Sequence, residues 1–199
     1  MQFSEHRIAP DPARSVLERL RAEDQAQRDQ NLPVEERTRN VTAPTGQFLY
    51  SLVRTVKPDL ILEIGSSTAY STAWMALAAR EYGGRVVGSE ILPDRAVLAN
   101  QNLKEAGLDA VAFVETGDGS DIALHYENIA MVFLDAEKDE YSSHFVNVIE
   151  RVGPSGLVLT DNVTSHDCED LLEMIRKRGD CVTQTIPFER GLEYTVKLY

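Results

Sequence analysis

Two acidic positions stand out for the chemistry they allow. Met131-Val132-Phe133-Leu134 is an apolar run that ends abruptly at Asp135, with Lys138 three residues further on. Gly156-Leu157-Val158-Leu159-Thr160 repeats the design and ends at Asp161-Asn162. A short apolar run closing on an acid reads as a buried strand whose last residue emerges at the sheet edge. In open α/β sheets, ligands sit beyond the carboxyl ends of the strands. If the two strands are neighbours, their tips lie about 5 Å apart. Two carboxylates and an amide oxygen then meet beside the Lys138 ammonium, and three hard oxygen donors suit a divalent ion such as magnesium. The plainer reading makes Asp135 a helix cap and Asp161-Asn162 an Asx turn. It explains less well why two strands both end this way beside a lysine.

A second group of residues suits a nucleotide-like ligand. Gly65-Ser66-Ser67-Thr68-Ala69-Tyr70-Ser71 follows the apolar run Leu60–Ile64 and opens a helix, where backbone N–H groups face a ligand. The turn carries one glycine and is not a GxGxxG motif, so alone it is equally an ordinary strand-to-helix turn. Glu90 ends the next strand, 25 residues beyond Gly65, where an acid reaches ribose hydroxyls. Gly117-Asp118-Gly119-Ser120 follows the third strand and suits a base pocket, although by itself it is an Asp-Gly turn.

These residues need strand tips to hold them. The pattern predicts strands over 60–65, 85–90, 110–115, 131–135 and 157–161, with helices over 45–56, 71–81, 93–106, 139–152 and 167–178 between and after them. Strands alternating with helices of about a dozen residues make βαβ units and a mostly parallel, doubly wound sheet with helices on both faces. Two closing strands, 181–186 and 193–198, are joined by a short turn near Glu189-Arg190-Gly191, so the last of seven strands runs antiparallel. Residues 1–10 carry no pattern and are expected to fray. Asp11-Pro12 starts a helix over 13–29 with a thin stripe of Val16, Leu17 and Leu20, which suits a lid or a dimer contact better than a core.

The chain has 199 residues and 22.2 kDa, which fits one domain with a substantial core. A net charge of −12 argues against nucleic-acid partners and anionic membrane surfaces. No run is long and apolar enough for a signal peptide or membrane span, so a cytoplasmic location is expected. Cys168 and Cys181 match no metal spacing or disulfide framework. His166 lies near Asn162, but magnesium prefers oxygen. His125 and His144 have no partner at catalytic spacing, and GxSxG is absent.

From about Arg39 to Leu198 the chain resembles the magnesium-dependent class I O-methyltransferases, the group of catechol and caffeoyl-CoA O-methyltransferases. NVTAPTGQFL, LEIGSSTAYST, the Glu90 strand end, FLDAEKDEY and GLVLTDNV carry the resemblance. It implies one methyltransferase domain over 1–199, with a helical extension to residue 38 and a Rossmann-like core from 39. It also implies S-adenosylmethionine held by Val41, Glu63, Gly65, Ser66, Ser71, Glu90, Ile91, Gly117, Asp118, Ser120 and Asp135. Magnesium, or manganese or calcium, would be held by Asp135, Asp161 and Asn162. Lys138 would be the general base, with Asp135 beside it in the catalytic group. The acceptor would be a small hydroxylated molecule, an aromatic vicinal diol, and the protein a possible homodimer.

Two departures matter. Ala69 stands where the family usually has glycine. Ala136 and Glu137 stand where the animal catechol enzymes carry His and Trp, which puts catechol itself in doubt as acceptor. Two other readings stay open. A nucleotide-binding oxidoreductase of related fold would need the glycine-rich turn missing here. A non-catalytic cofactor-binding protein would have no use for Lys138 and the metal trio.

Overall fold

The computed structural model describes residue 10, residues 12–164 and residues 168–199. The expectations for residues 1–9, for Asp11 as a helix start, for His166 and for Asp167 lie outside the described residues. In chain order the elements are α1 (Ala13–Asp29), α2 (Ala43–Val56), β1 (Leu60–Ile64), α3 (Tyr70–Ala79), β2 (Arg85–Glu90), α4 (Pro93–Glu105), β3 (Ala112–Thr116) and α5 (Gly119–Ala123). Then come β4 (Ile129–Leu134), α6 (Tyr141–Ile149), β5 (Val152–Thr160), α7 (Glu169–Lys177), β6 (Cys181–Ile186) and β7 (Leu192–Lys197).

The seven strands form one sheet in the order β3-β2-β1-β4-β5-β7-β6. All neighbours are parallel except at β7, which runs antiparallel to both β5 and β6. The short turn between β6 and β7 imposes that reversal. Alternate strand residues feed two cores. Ile61, Val86, Met131, Phe133 and Leu159 pack with α1 to α4 on one face. Leu62, Ile64, Val87, Val132, Leu134 and Val158 pack with α5, α6 and α7 on the other.

Every residue of α3 is buried. A helix apolar all round needs cover on its outer side as well as from the sheet. Helices α1 and α2 supply it, both packing on α3. The approach of α2 requires Gly46, where a Cβ would lie 2.4 Å from the Trp74 ring. Thr42 caps α2 by accepting from Thr45 N.

The structure corrects the sequence reading of α1. Ala13, Val16, Leu17 and Leu20 are at most 1% exposed and belong to the α3-side core. The stripe is thin because only the first half of α1 contributes buried apolar residues. Its second half, from Arg21, walls a cleft described below. Two boundaries also differ. The helix expected over 139–152 stops at Ile149, and β5 begins at Val152, which pairs with Ile129. The ladder then shifts register before Met131 and Leu157, which lets Gly153, Pro154 and Ser155 pass through the strand.

Because Leu17 is fully buried, Leu17→Ala should destabilise the protein by about 2–5 kcal/mol. Urea denaturation followed by circular dichroism measures it. A loss below about 1 kcal/mol would return α1 to the status of a peripheral helix.

Candidate functional site

The strand ends fix the site. Asp135 N donates to Ile64 O at 2.9 Å and Asp161 N to Leu134 O at 3.0 Å. The ladders of β1, β4 and β5 therefore continue one residue past each strand, setting Gly65, Asp135 and Asp161 side by side. Gly65 has φ +94°, and a Cβ there would lie 2.4 Å from the Asp135 carbonyl oxygen. Glycine is required both for the backbone conformation and for the contact.

Above these ends lies a cleft of about 900 Å³. Its walls include the second half of α1, the strap of residues 34–43 before and into α2, and the tips of β1, β2, β3, β4 and β5. Of the predicted residues, Val41, Gly65, Glu90, Ile91, Gly117, Asp118, Asp135, Lys138, Asp161 and Asn162 line it. Glu63, Ser66, Ser71 and Ser120 do not. They are buried behind the wall.

At one end, Lys138 Nζ donates to Asp135 Oδ1 at 2.9 Å and also bonds the Tyr141 hydroxyl. The Tyr141 hydroxyl donates in turn to the Asp161 carbonyl at 3.1 Å. Asn162 Nδ2 donates to Asp161 Oδ2 at 2.9 Å. Burial pushes the Asp161 carboxyl up to about 7, and the Asp135 charge pushes the same way. Asp135 is also raised, by burial first, with Lys138 opposing. Lys138 alone does not balance buried Asp161 together with Asp135, whose side chain is 15% exposed, and a cation between them would. Among the described residues, no group of three or more His, Cys, Asp or Glu is placed to hold a metal. The donor set here is two carboxylates and an amide, all oxygen, and it fits a hard divalent ion.

At the other end, Glu90 is 7% exposed. Its Oε2 accepts from Ser67 N at 3.0 Å and its Oε1 from Leu92 N at 2.9 Å. A carboxylate has about four lone-pair sites, so two remain for hydroxyls in the cleft. Ile91 beside it is 65% exposed, an apolar surface turned to the same space. Asp118 lines the cleft while capping α5, accepting from Ser120 N at 2.7 Å.

Behind the wall, Glu63 is fully buried. The Ser66 and Thr72 hydroxyls both donate to its Oε2, Ser66 at 2.7 Å, while Oε1 has no hydrogen-bond partner in the protein. Glu63 thus ties both ends of the 65–71 turn to β1. Ala69 takes the left-handed conformation at φ 68°, ψ 30°. Glycine, expected here from the resemblance, would hold that geometry without strain, and alanine holds it at a cost of about 1–2 kcal/mol.

Sequence reasoning missed three contributors. The strap around Thr38, Arg39 and Asn40 is stapled to α1. Asp24 Oδ1 accepts from Asn40 N at 3.0 Å and the Thr38 hydroxyl at 3.1 Å, and Gln27 Oε1 accepts from Thr38 N at 2.7 Å. Arg39 forms an ion pair across the cleft with Glu137. His144 reaches the cleft from α6, its Nδ1 2.8 Å from Ser120 Oγ. The only sequence signal for these was NVTAPTGQFL, which begins at Asn40 of the strap.

A family model described as O-methyltransferase matches residues 9–170. A catechol O-methyltransferase of Niastella koreensis is 34% identical over 129 residues, 62% of this chain and 58% of that protein. One of Sus scrofa is 30% identical over 171 residues, 80% of this chain and 89% of that protein. The chain spans about three fifths of the length of several curated relatives it matches. The crystal structure of the O-methyltransferase TomG of Streptomyces achromogenes, involved in tomaymycin synthesis and in complex with SAM, superposes with a TM-score of 0.79 at 26% identity, covering 96% of this chain and 92% of that one.

Glu63 makes stability depend on pH. Its carboxyl rises from 4.5 to about 7 on folding, chiefly through burial. Between those values the folded state keeps a proton that the unfolded state has lost. The contribution is therefore complete below the unfolded value and lost as pH rises through the folded one. The shift corresponds to a change on the order of 3 kcal/mol. Urea midpoints of the metal-free protein should fall between about pH 5 and about pH 8, and Glu63→Gln should flatten that slope. An unchanged slope in Glu63→Gln would assign the dependence to other acids.

Proposed function

This chain belongs to the O-methyltransferase family, and on that premise we propose that it moves a methyl group from S-adenosylmethionine to a hydroxyl of a small aromatic vicinal diol. The observation that carries the reading is one continuous cleft with Glu90 at one end and Asp135, Lys138, Asp161 and Asn162 at the other. The whole chain, 1–199, would act as one methyltransferase domain.

In this reading Glu90 accepts the ribose hydroxyls, Ile91 covers the base, and Gly117 and Asp118 close its edge. Val41 and the Gly65 turn hold the methionine end. When bound, S-adenosylmethionine supplies the electrophilic methyl carbon. Asp135, Asp161 and Asn162 would hold magnesium, which lowers the pKa of a bound hydroxyl. Lys138 Nζ lies 2.9 Å from Asp135 Oδ1, beside the proposed metal site, and would act as the general base that takes the acceptor's proton. Tyr141, bonded to Lys138 and to the Asp161 carbonyl, fixes the direction of the amine. Burial and the neighbouring acids hold the Tyr141 phenol well above its ordinary pKa, so it stays neutral. The strap and α1 exclude water from the line between methyl and oxygen, and alignment of that line supplies much of the rate.

Methyl transfer to a panel of catechols should require a divalent ion, vanish in EDTA and return with magnesium or manganese. Asp161→Ala should abolish turnover and leave S-adenosylmethionine affinity within about threefold, because the two ends of the cleft lie on different strands. Glu90→Ala should weaken that affinity at least about tenfold, the loss of one charge-assisted bond. Full activity in EDTA or in Asp161→Ala would make the trio structural. Unchanged affinity in Glu90→Ala, measured by calorimetry, would move the cofactor elsewhere.

A further inference from the structure

We infer that the acceptor carries a carboxylate in addition to its hydroxyls, and that Arg39 holds it; this rests on the methyl-transfer reading of the same cleft. Arg39 projects from the strap and pairs with Glu137 on the opposite wall, two residues beyond Asp135. Arg39 lines the same cleft as Asp135, and the Asp135 carboxylate helps hold its guanidinium charged, so that group stands near one of the two acids proposed to hold the metal. An acceptor bound there by its hydroxyls has Arg39 and Glu137 over its outer part.

Three other arginines of the cleft are already bonded elsewhere in the protein. Arg28 pairs with Asp24, Arg37 donates to the Leu32 carbonyl, and Arg95 donates to the Glu35 carbonyl. Arg39 alone among the described ion pairs links the strap to the wall bearing Asp135 and Lys138. Its backbone is strained, with φ 54°. The bonds on Thr38 and Asn40 to α1, and from Ser67 Oγ to the Thr38 carbonyl at 2.7 Å, hold it there. A strained residue kept in place by bonds on both sides points to use rather than accident.

The two partners are unequal. The Arg39 side chain is 34% exposed and rooted in the stapled strap, whereas that of Glu137 is 61% exposed on the rim. Arg39 is the fixed group and Glu137 the displaceable one. What Arg39 now holds is a carboxylate, so Glu137 occupies the position that an acidic substituent would take. The planar guanidinium matches that group in two parallel bonds. Glu137 would also repel a free carboxylate unless it moved, which makes the exchange selective for acceptors anchored at the metal end.

The test compares 3,4-dihydroxybenzoate with catechol as probes. Calorimetry on the whole protein with magnesium and S-adenosylhomocysteine should give at least about tenfold tighter binding of 3,4-dihydroxybenzoate. Arg39→Leu should remove that preference and leave catechol binding within about twofold. Glu137→Gln, which removes the competitor and leaves the strap untouched, should tighten 3,4-dihydroxybenzoate further. Equal affinities, absence of binding by both probes, or a loosening in Glu137→Gln overturns the inference. So does a preference that survives Arg39→Leu, as it would if Arg190 on the β6–β7 turn carried it. Methyl transfer measured in parallel separates the two readings. Preferred binding without transfer would sink the proposed reaction alone, and transfer without preference would sink the carboxylate alone.

Discussion

Backbone meets backbone where β1 and β4 end, and the cleft follows from that contact. Gly65 can lie against the Asp135 carbonyl only because it has no side chain. The contact sets the turn after β1 level with the acid after β4. The parallel register then carries the same level to Asp161 at the end of β5. Widen the first spacing by one methyl group and the 65–71 turn, the two acids and Lys138 no longer share a floor. The restriction is steric and therefore firm, because packed backbone has few alternative arrangements.

The second constraint is electrostatic. In a chain of net charge −12, several carboxylates are buried, and each is stabilised differently. Glu90 accepts two backbone N–H groups. Glu193 accepts the Thr183 and Thr185 hydroxyls at 2.6 and 2.5 Å. Asp24 accepts from the strap and from Arg28. Those three hold structure together through the donors around them. Asp135 accepts from Lys138 and Asp161 from Asn162, yet burial raises both, and the Asp135 charge raises Asp161 further. Glu63 has hydroxyl donors on one oxygen only, and burial raises its carboxyl to about 7, so it is about half protonated near pH 7. The acids that are poorly compensated within the protein thus lie at the strand tips or directly beneath the turn, where ligands and protons can supply the difference.

The strand tips were legible because chemistry and periodicity coincide there. An apolar run ending in Asp135 or in Asp161-Asn162 fixes both the strand and the direction of its last residue. Arg85–Glu90 and Cys181–Ile186 were bounded by turn residues and needed no tertiary information. Helix α1 was misread because one helix does two jobs, packing Val16, Leu17 and Leu20 on α3 and walling the cleft from Arg21 onward. A periodic stripe averaged over 17 residues hides that division. The end of α6 was misplaced because Phe145, Val148, Ile149 and Val152 continue one helical face across a boundary set by pairing of Val152 with Ile129. The strap has no period at all. Its position comes from side chains on α1, and pairing of distant residues is not written in local sequence.

Backbone strain completes the argument. Arg39, Ser67, Asn162 and Glu189 have positive φ and all line the cleft, and Ala69 does so in the turn behind it. A chain leaving a strand normally moves away from the sheet end. To turn N–H groups and side chains back over that end, it must pass through sparsely populated conformations, at about 1–2 kcal/mol for each non-glycine residue. The cost is tolerated because the two cores beneath are continuous, from α3 on one face to α6 on the other. Glycine at all these positions would relieve strain, but it would remove the guanidinium of Arg39 and the amide of Asn162. The sequence keeps side chains where they can touch a ligand and uses glycine at 65, where backbone approaches backbone, and at 117, where φ is +149°.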